Sequence, residues 1–149
     1  MSPTKKPAAK VWSEEERAAM VESARERKAQ AKLSPVDERA AGEAEIRAKI
    51  AEMTPLEQEM AARIHALVSK VAPAFMPRTY YGMPAYSRDG RTICFFQPAS
   101  KFKVRYSTFG FQPDARIDDG EMWPIAFALL ELTPSAEARI AALVKEAAS

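Results

Sequence analysis

The sequence predicts an α+β domain, a two-layer sandwich in which an antiparallel sheet of about four to five strands is covered by helices from both ends of the chain. Three observations predict it. Of two Trp, four Tyr and seven Phe, all but Trp12 lie between Phe75 and Phe127. Before that window the chain is rich in Ala, Glu, Lys and Arg, which favour helices. Inside it the chain is aromatic and β-branched, which favours strands. Threonine–proline helix caps then stand on both sides of the window, at Thr54-Pro55 and Thr133-Pro134.

Residues 1–11 carry Lys5, Lys6, Lys10, Pro3 and Pro7 and offer little to bury, so a disordered basic tail is expected there. Ser13 and Glu16 form a capping-box pattern that opens a helix running to about Lys32. Its largest apolar groups after Trp12 are Met20 and Val21, a thin stripe that predicts loose docking. Pro35 opens a second helix to about Met53, with Ile46 and Ile50 on one side. Gly42 weakens that helix by ~1 kcal/mol relative to alanine.

The stretch "TPLE" at 54–57 is the strongest local signal: Thr54 caps, Pro55 takes the first position and Glu57 reaches back to the cap. The helix it opens places Leu56, Met60, Ile64, Leu67, Val68 and Val71 on one face, and Pro73 ends it. A joint "YYGMPAY" at 80–86 leads into the first strand. "MPAYS" and "RTICFFQ" are paired through Asp89-Gly90, a hairpin turn signal. "KFKVRYST" alternates Phe102, Val104 and Tyr106 against Lys103, Arg105 and Ser107, predicting a strand with one wet face. "MWPIAFALLEL" predicts a last strand, with Pro124 at an edge or bulge. A closing helix carries Ala136, Ile140, Leu143, Val144 and Ala147.

The 149 residues suit one ordinary domain, and 47% hydrophobic with 28% charged content suits a globular one. A net charge of +2 implies no general attraction to nucleic acid or anionic membrane. No apolar run approaches the ~18 residues of a membrane span, and "MSPTKKPAAK" lacks the apolar core of a secretory signal, so a cytoplasmic location is expected. Cys94 stands alone and has no intrachain disulfide partner.

Catalytic signals are absent: no phosphate loop, no nucleophile elbow and no zinc pattern. His65 reads as a boundary residue of the core helix making one hydrogen bond. Cys94 reads as inert strand packing. Asp118, Asp119 and Glu121 form the densest acidic cluster of the strand half, where Asp119-Gly120 is also turn chemistry. Lys101, Lys103, Arg105 and Arg91 with Phe109 suggest a basic aromatic patch, which is more simply a solvated sheet face. Tyr80, Tyr81, Met83, Tyr86, Trp123 and Arg105 are the expected ligand-binding residues, because a tyrosine-rich rim offers apolar area together with hydroxyls.

Taken jointly, "YYGMPAY", "CFFQPASKF", "DDGEMWPIAFALLELT" and "IAALVKEA" resemble the YdhG-like family of small bacterial proteins, a domain of unknown function. The resemblance covers residues 42–149, with 12–41 as an amino-terminal helical extension. It implies a fold similar to secretion chaperones and to YjbR/CyaY-like proteins. It also implies a non-enzymatic binding or chaperone-like role, with frataxin-like iron delivery in one branch. For iron the candidate ligands are Asp118, Asp119 and Glu121. The expected partners are iron or a small ligand; the alternatives are a small molecule or peptide in the aromatic-rimmed pocket and, ranked last, weak nucleic-acid association through the basic face, with a homodimer left open and no membrane expected.

Overall fold

The computed structural model describes residues 11–30 and 34–149. Within them lie α1 (Glu14–Gln30), α2 (Pro35–Ala51), α3 (Pro55–Val71), β1 (Met76–Tyr80), β2 (Met83–Arg88), β3 (Arg91–Gln97), a short 3-10 turn (Ala99–Lys101), β4 (Ser107–Phe111), β5 (Ala126–Leu129) and α4 (Pro134–Ala148). The five strands form one antiparallel meander in chain order. The expected α+β architecture is therefore present, with helices from both ends of the chain flanking the sheet. The basic tail expected over residues 1–11 falls, but for Val11, outside the described residues, as does the helix end expected at Lys32.

Strand register sets the layers. Tyr86 lies opposite Cys94, Cys94 opposite Phe111, and Phe96 opposite Phe109. All five are buried and join Ile46 of α2, Ile64 and Val68 of α3 and Ile140 and Val144 of α4 in one core. That face of the sheet lies under the helices. On the opposite face the Phe95 ring lies across Gly110: a Cβ there would sit 2.5 Å from the ring. The sheet covers part of its own second face with its own aromatics.

Three features depart from the expected elements. β1 precedes the first expected strand, so Tyr81-Gly82 is a two-residue hairpin turn and not a helix-to-strand joint. Both residues are left-handed, at φ 51° and 76°, like Asp89 and Gly90 at 53° and 77° in the next hairpin. The strand expected over Lys101–Thr108 begins only at Ser107. Ahead of it the chain curls, with Lys101 N–H donating to Pro98 O, Val104 N–H donating to Ala99 O, and Lys103 at φ 55°. A left-handed residue breaks an extended run, whatever its alternation. The last strand is shorter than expected and confined to Ala126–Leu129.

The helices depart in detail. Leu56, expected in the core, is 50% exposed, and Glu57 is buried in its place. Glu57 closes the capping box with Thr54 and also accepts from Ser100 N–H at 3.0 Å and Ser100 hydroxyl at 2.6 Å. Burial raises its pKa, but the hydrogen bonds from Ser100 and Thr54 outweigh it and hold the carboxyl below its ordinary value. The boundary expected between residues 41 and 42 falls inside α2. There Gly42 sits so close to β1 that a Cβ would be 1.9 Å from Pro77 O.

Candidate functional site

α1 is the least apolar of the helices, and its docking explains the site beside it. Met20 and Val21 stay exposed, and the buried seam consists of Ala19, Ser23 and Glu26. Small and polar groups make this seam specific. Glu26 accepts the Gly82 N–H at 2.9 Å, Glu22 pairs with Lys49 at 2.9 Å, and Gln30 meets Arg78. Glu22 also reaches Lys101 at 3.8 Å, and Glu15 pairs with Lys103 at 2.6 Å. The last two pairs tie α1 to the curled segment before β4. Gly82 leaves room for this arrangement, since a Cβ there would lie 2.1 Å from the Glu22 carboxylate.

Between α1, the Tyr81-Gly82 turn, the ends of β2 and β3 and the curled segment lies a groove of about 620 Å³. Its apolar lining is Trp12, Ala19, Met20, Tyr81, Met83, Phe102 and Val104; its polar lining is Ser13, Glu16 and Gln97. Ser13 and Glu16 are spent on each other in the cap of α1, at 3.1 and 3.4 Å. Small-molecule sites typically occupy ~300–1,000 Å³ with such a balance of apolar walls and few polar groups. Tyr81 stands out in this wall. Its left-handed backbone position is one that Gly, Asn or Asp fills readily, and an aromatic residue there costs on the order of 1 kcal/mol.

The expected ligand-binding residues are distributed unevenly about this groove. Tyr81 and Met83 line it. Tyr80 packs edge-on against Tyr81, with ring centroids 4.6 Å apart, and leans on Phe95. Tyr86 lies on the other face of the sheet, fully buried. Its hydroxyl meets His65 Nδ1 at 2.9 Å, and His65 Nε2 meets Glu43 at 2.6 Å. Trp123 packs against the core, and the Arg105 guanidinium lies over the Tyr106 ring at 5.4 Å. Asp118, Asp119 and Glu121 are exposed around the Gly120 turn. Among the described residues no three His, Cys, Asp or Glu side chains are placed to hold a metal ion. Phe109 of the suggested basic patch is in the core, Arg91 pairs with Asp114, and Lys103 pairs with Glu15. Cys94 is buried, and burial pushes its thiol far above the ordinary range.

A scan against protein-family models, a search of curated proteins and a search of solved structures each return no match. The site is therefore read from its own chemistry.

Sequence reasoning missed Trp12, Met20, Gln97, Phe102 and Val104 as groove residues. One signal was present: Trp12 is the single aromatic outside the strand window, just ahead of a helix with almost nothing else to bury. Strand alternation already places Phe102 and Val104 on one side, but the left-handed turn at Lys103, which curls that segment beside α1, is announced by no periodicity.

Glu26 gives the α1 wall a pH dependence. Burial raises its pKa most, the Gly82 N–H and Thr79 bonds oppose this, and Glu22 and Glu45 raise it further. A carboxyl whose pKa is raised on docking stabilises the docked state fully below its undocked value. That contribution fades as pH rises through the docked value. Protection of α1 amides from hydrogen exchange should therefore decline from pH 5 to pH 7.5 beyond the intrinsic rate change. Glu26→Gln should flatten the decline. An equal decline in the variant would contradict this account.

Proposed function

We propose that this chain is a non-enzymatic binding domain whose ligand, a small molecule or a short apolar segment, lies in the groove between α1 and the sheet. One observation carries the reading: the groove wall includes a tyrosine held in a left-handed turn position where asparagine would be less strained. Backbone strain concentrates at functional sites, and here the strained side chain lines the apolar groove. Iron delivery would need gathered oxygen ligands and draws no support from the placement of Asp118, Asp119 and Glu121.

The test uses a neutral fluorescent probe, Nile red, with the full chain. Saturable one-to-one binding is expected. It should be abolished by Met20→Lys or Val104→Asp, whose exposed positions leave the core intact. Tyr81→Asn should separate function from stability, raising stability by about 1 kcal/mol while weakening the probe at least tenfold. Binding indifferent to all three substitutions would overturn the reading.

A further inference from the structure

The walls of the groove also restrict what it accepts. This step rests on the binding reading above and names its ligand class. Three aromatic rings and two thioethers line the groove, from Trp12, Tyr81, Phe102, Met20 and Met83. Such walls favour flat rings, through π-faces and sulfur–aromatic contacts, over flexible chains. Among the described residues no lysine or arginine lines the groove; the adjacent Lys101 reaches Glu22 and lies over the Phe102 ring at 5.8 Å, and Lys103 pairs with Glu15. Among the described lining residues the one carboxylate, Glu16, disfavours an anion and is already held by the cap of α1. An uncharged ligand fits this field best.

Two polar groups in the lining remain unspent. Neither the Gln97 amide nor the Tyr81 hydroxyl makes a side-chain hydrogen bond within the described residues, although both side chains are half-buried. Neither group is among the buried polar atoms left without a partner, so both remain open to a ligand that enters the groove. A primary amide presents a donor beside an acceptor, and its complement is an edge with acceptor beside donor. Lactams, aromatic carboxamides and nucleobases all carry that edge, and glutamine pairs with adenine in this way.

We infer that the groove takes an uncharged, flat heteroaromatic ring whose amide-like edge pairs with Gln97, with the Tyr81 hydroxyl as a second polar contact. The ring stacks among Trp12, Tyr81 and Phe102 and excludes water from the Gln97 pair, which gives the pair its weight.

Titration calorimetry of the full chain with four probes tests this. Adenosine and lumichrome carry the edge on a nucleoside and on a non-nucleoside ring; naphthalene has a ring without the edge; 1-decanol has neither. At least one edge-bearing ring is expected to bind tenfold or more tighter than naphthalene, and naphthalene tighter than decanol. Which of the two binds distinguishes a nucleoside ligand from a lactam ring. Gln97→Leu should erase the advantage over naphthalene while leaving naphthalene unchanged, and Tyr81→Phe should reduce it in part. Because Gln97→Leu touches a strand end, Tyr81→Phe serves as the check that keeps a folding defect from deciding the result. Equal affinity for naphthalene and both edge-bearing rings would overturn the ligand class, as would preference for decanol, while leaving the groove as a binding site. No binding of any probe would overturn both.

Discussion

Gly42→Ala is expected to destabilise the protein by about 3 kcal/mol and to lower its thermal midpoint by roughly 10 °C. In an isolated helix the same substitution would help by ~1 kcal/mol, since alanine is the better helix former. The sign therefore reports docking. The added Cβ would meet Pro77 O at 1.9 Å and Pro77 C at 2.8 Å, both backbone atoms of β1 that have no rotamer to change. Either α2 or β1 must move, and both are anchored. Ile46, one turn on, is fully buried, and Glu45 accepts the Thr79 hydroxyl at 2.9 Å. Thermal unfolding followed by circular dichroism checks the prediction. A midpoint that rises would mean that α2 does not pack on β1 as described.

The second large effect concerns the chain Glu43–His65–Tyr86, which links α2, α3 and β2 across the core side of the sheet. The Tyr86 hydroxyl is buried, and burial raises its pKa well above the ordinary phenol range, so it stays a neutral hydroxyl with His65 as its partner. His65→Leu should cost about 2–3 kcal/mol, because it strands one buried hydroxyl and removes the partner of Glu43. Tyr86→Phe should cost less, about 1 kcal/mol, because it removes the hydroxyl that would need satisfying. In the double variant the two costs should not add: once His65 is gone, losing the hydroxyl should recover stability. Additive costs in denaturant unfolding would show that the two side chains do not share a bond.

These two cases mark how far the residues alone could be read. The core helix α3 was legible to its cap, since "TPLE" encodes a local geometry that needs no tertiary partner. The Asp89-Gly90 hairpin was legible for the same reason. Gly42 was not: a glycine in a helix signals weak propensity equally well when it serves a close approach, and only the position of Pro77 decides between them. Tyr81-Gly82 was misread because tyrosine is a rare occupant of a left-handed turn, and "MPRTY" before it, with proline and arginine, carries a weak strand signal. β4 was misplaced because alternation in "KFKVRYST" imitates a strand while Lys103 reverses the chain. The groove combines the last two of these features with the thinly apolar helix that the sequence did announce. Its walls come from a helix with little apolar character, an unusual turn and a curl disguised as a strand. Two of its residues, Tyr81 and Met83, were nevertheless among those expected from the tyrosine-rich stretch.

That surplus of tyrosines resolves into three separate placements. Tyr86 completes the core through His65, Tyr80 braces Tyr81 on the outer face, and Tyr81 alone enters the groove. The binding account therefore depends on the groove and not on a collective aromatic rim.

Methionine methyl NMR tests that dependence most directly, because the side chains report from distinct places. Met20 and Met83 line the groove, Met60 is in the core, and Met122 is 88% exposed on the far segment before β5. On titration with Nile red, the Met20 and Met83 methyl signals should shift together and saturate at one equivalent, while Met60 and Met122 stay in place. Shifts at Met122 alone, or no shift at Met20 and Met83 under saturating probe, would contradict the assignment of the groove as the binding site.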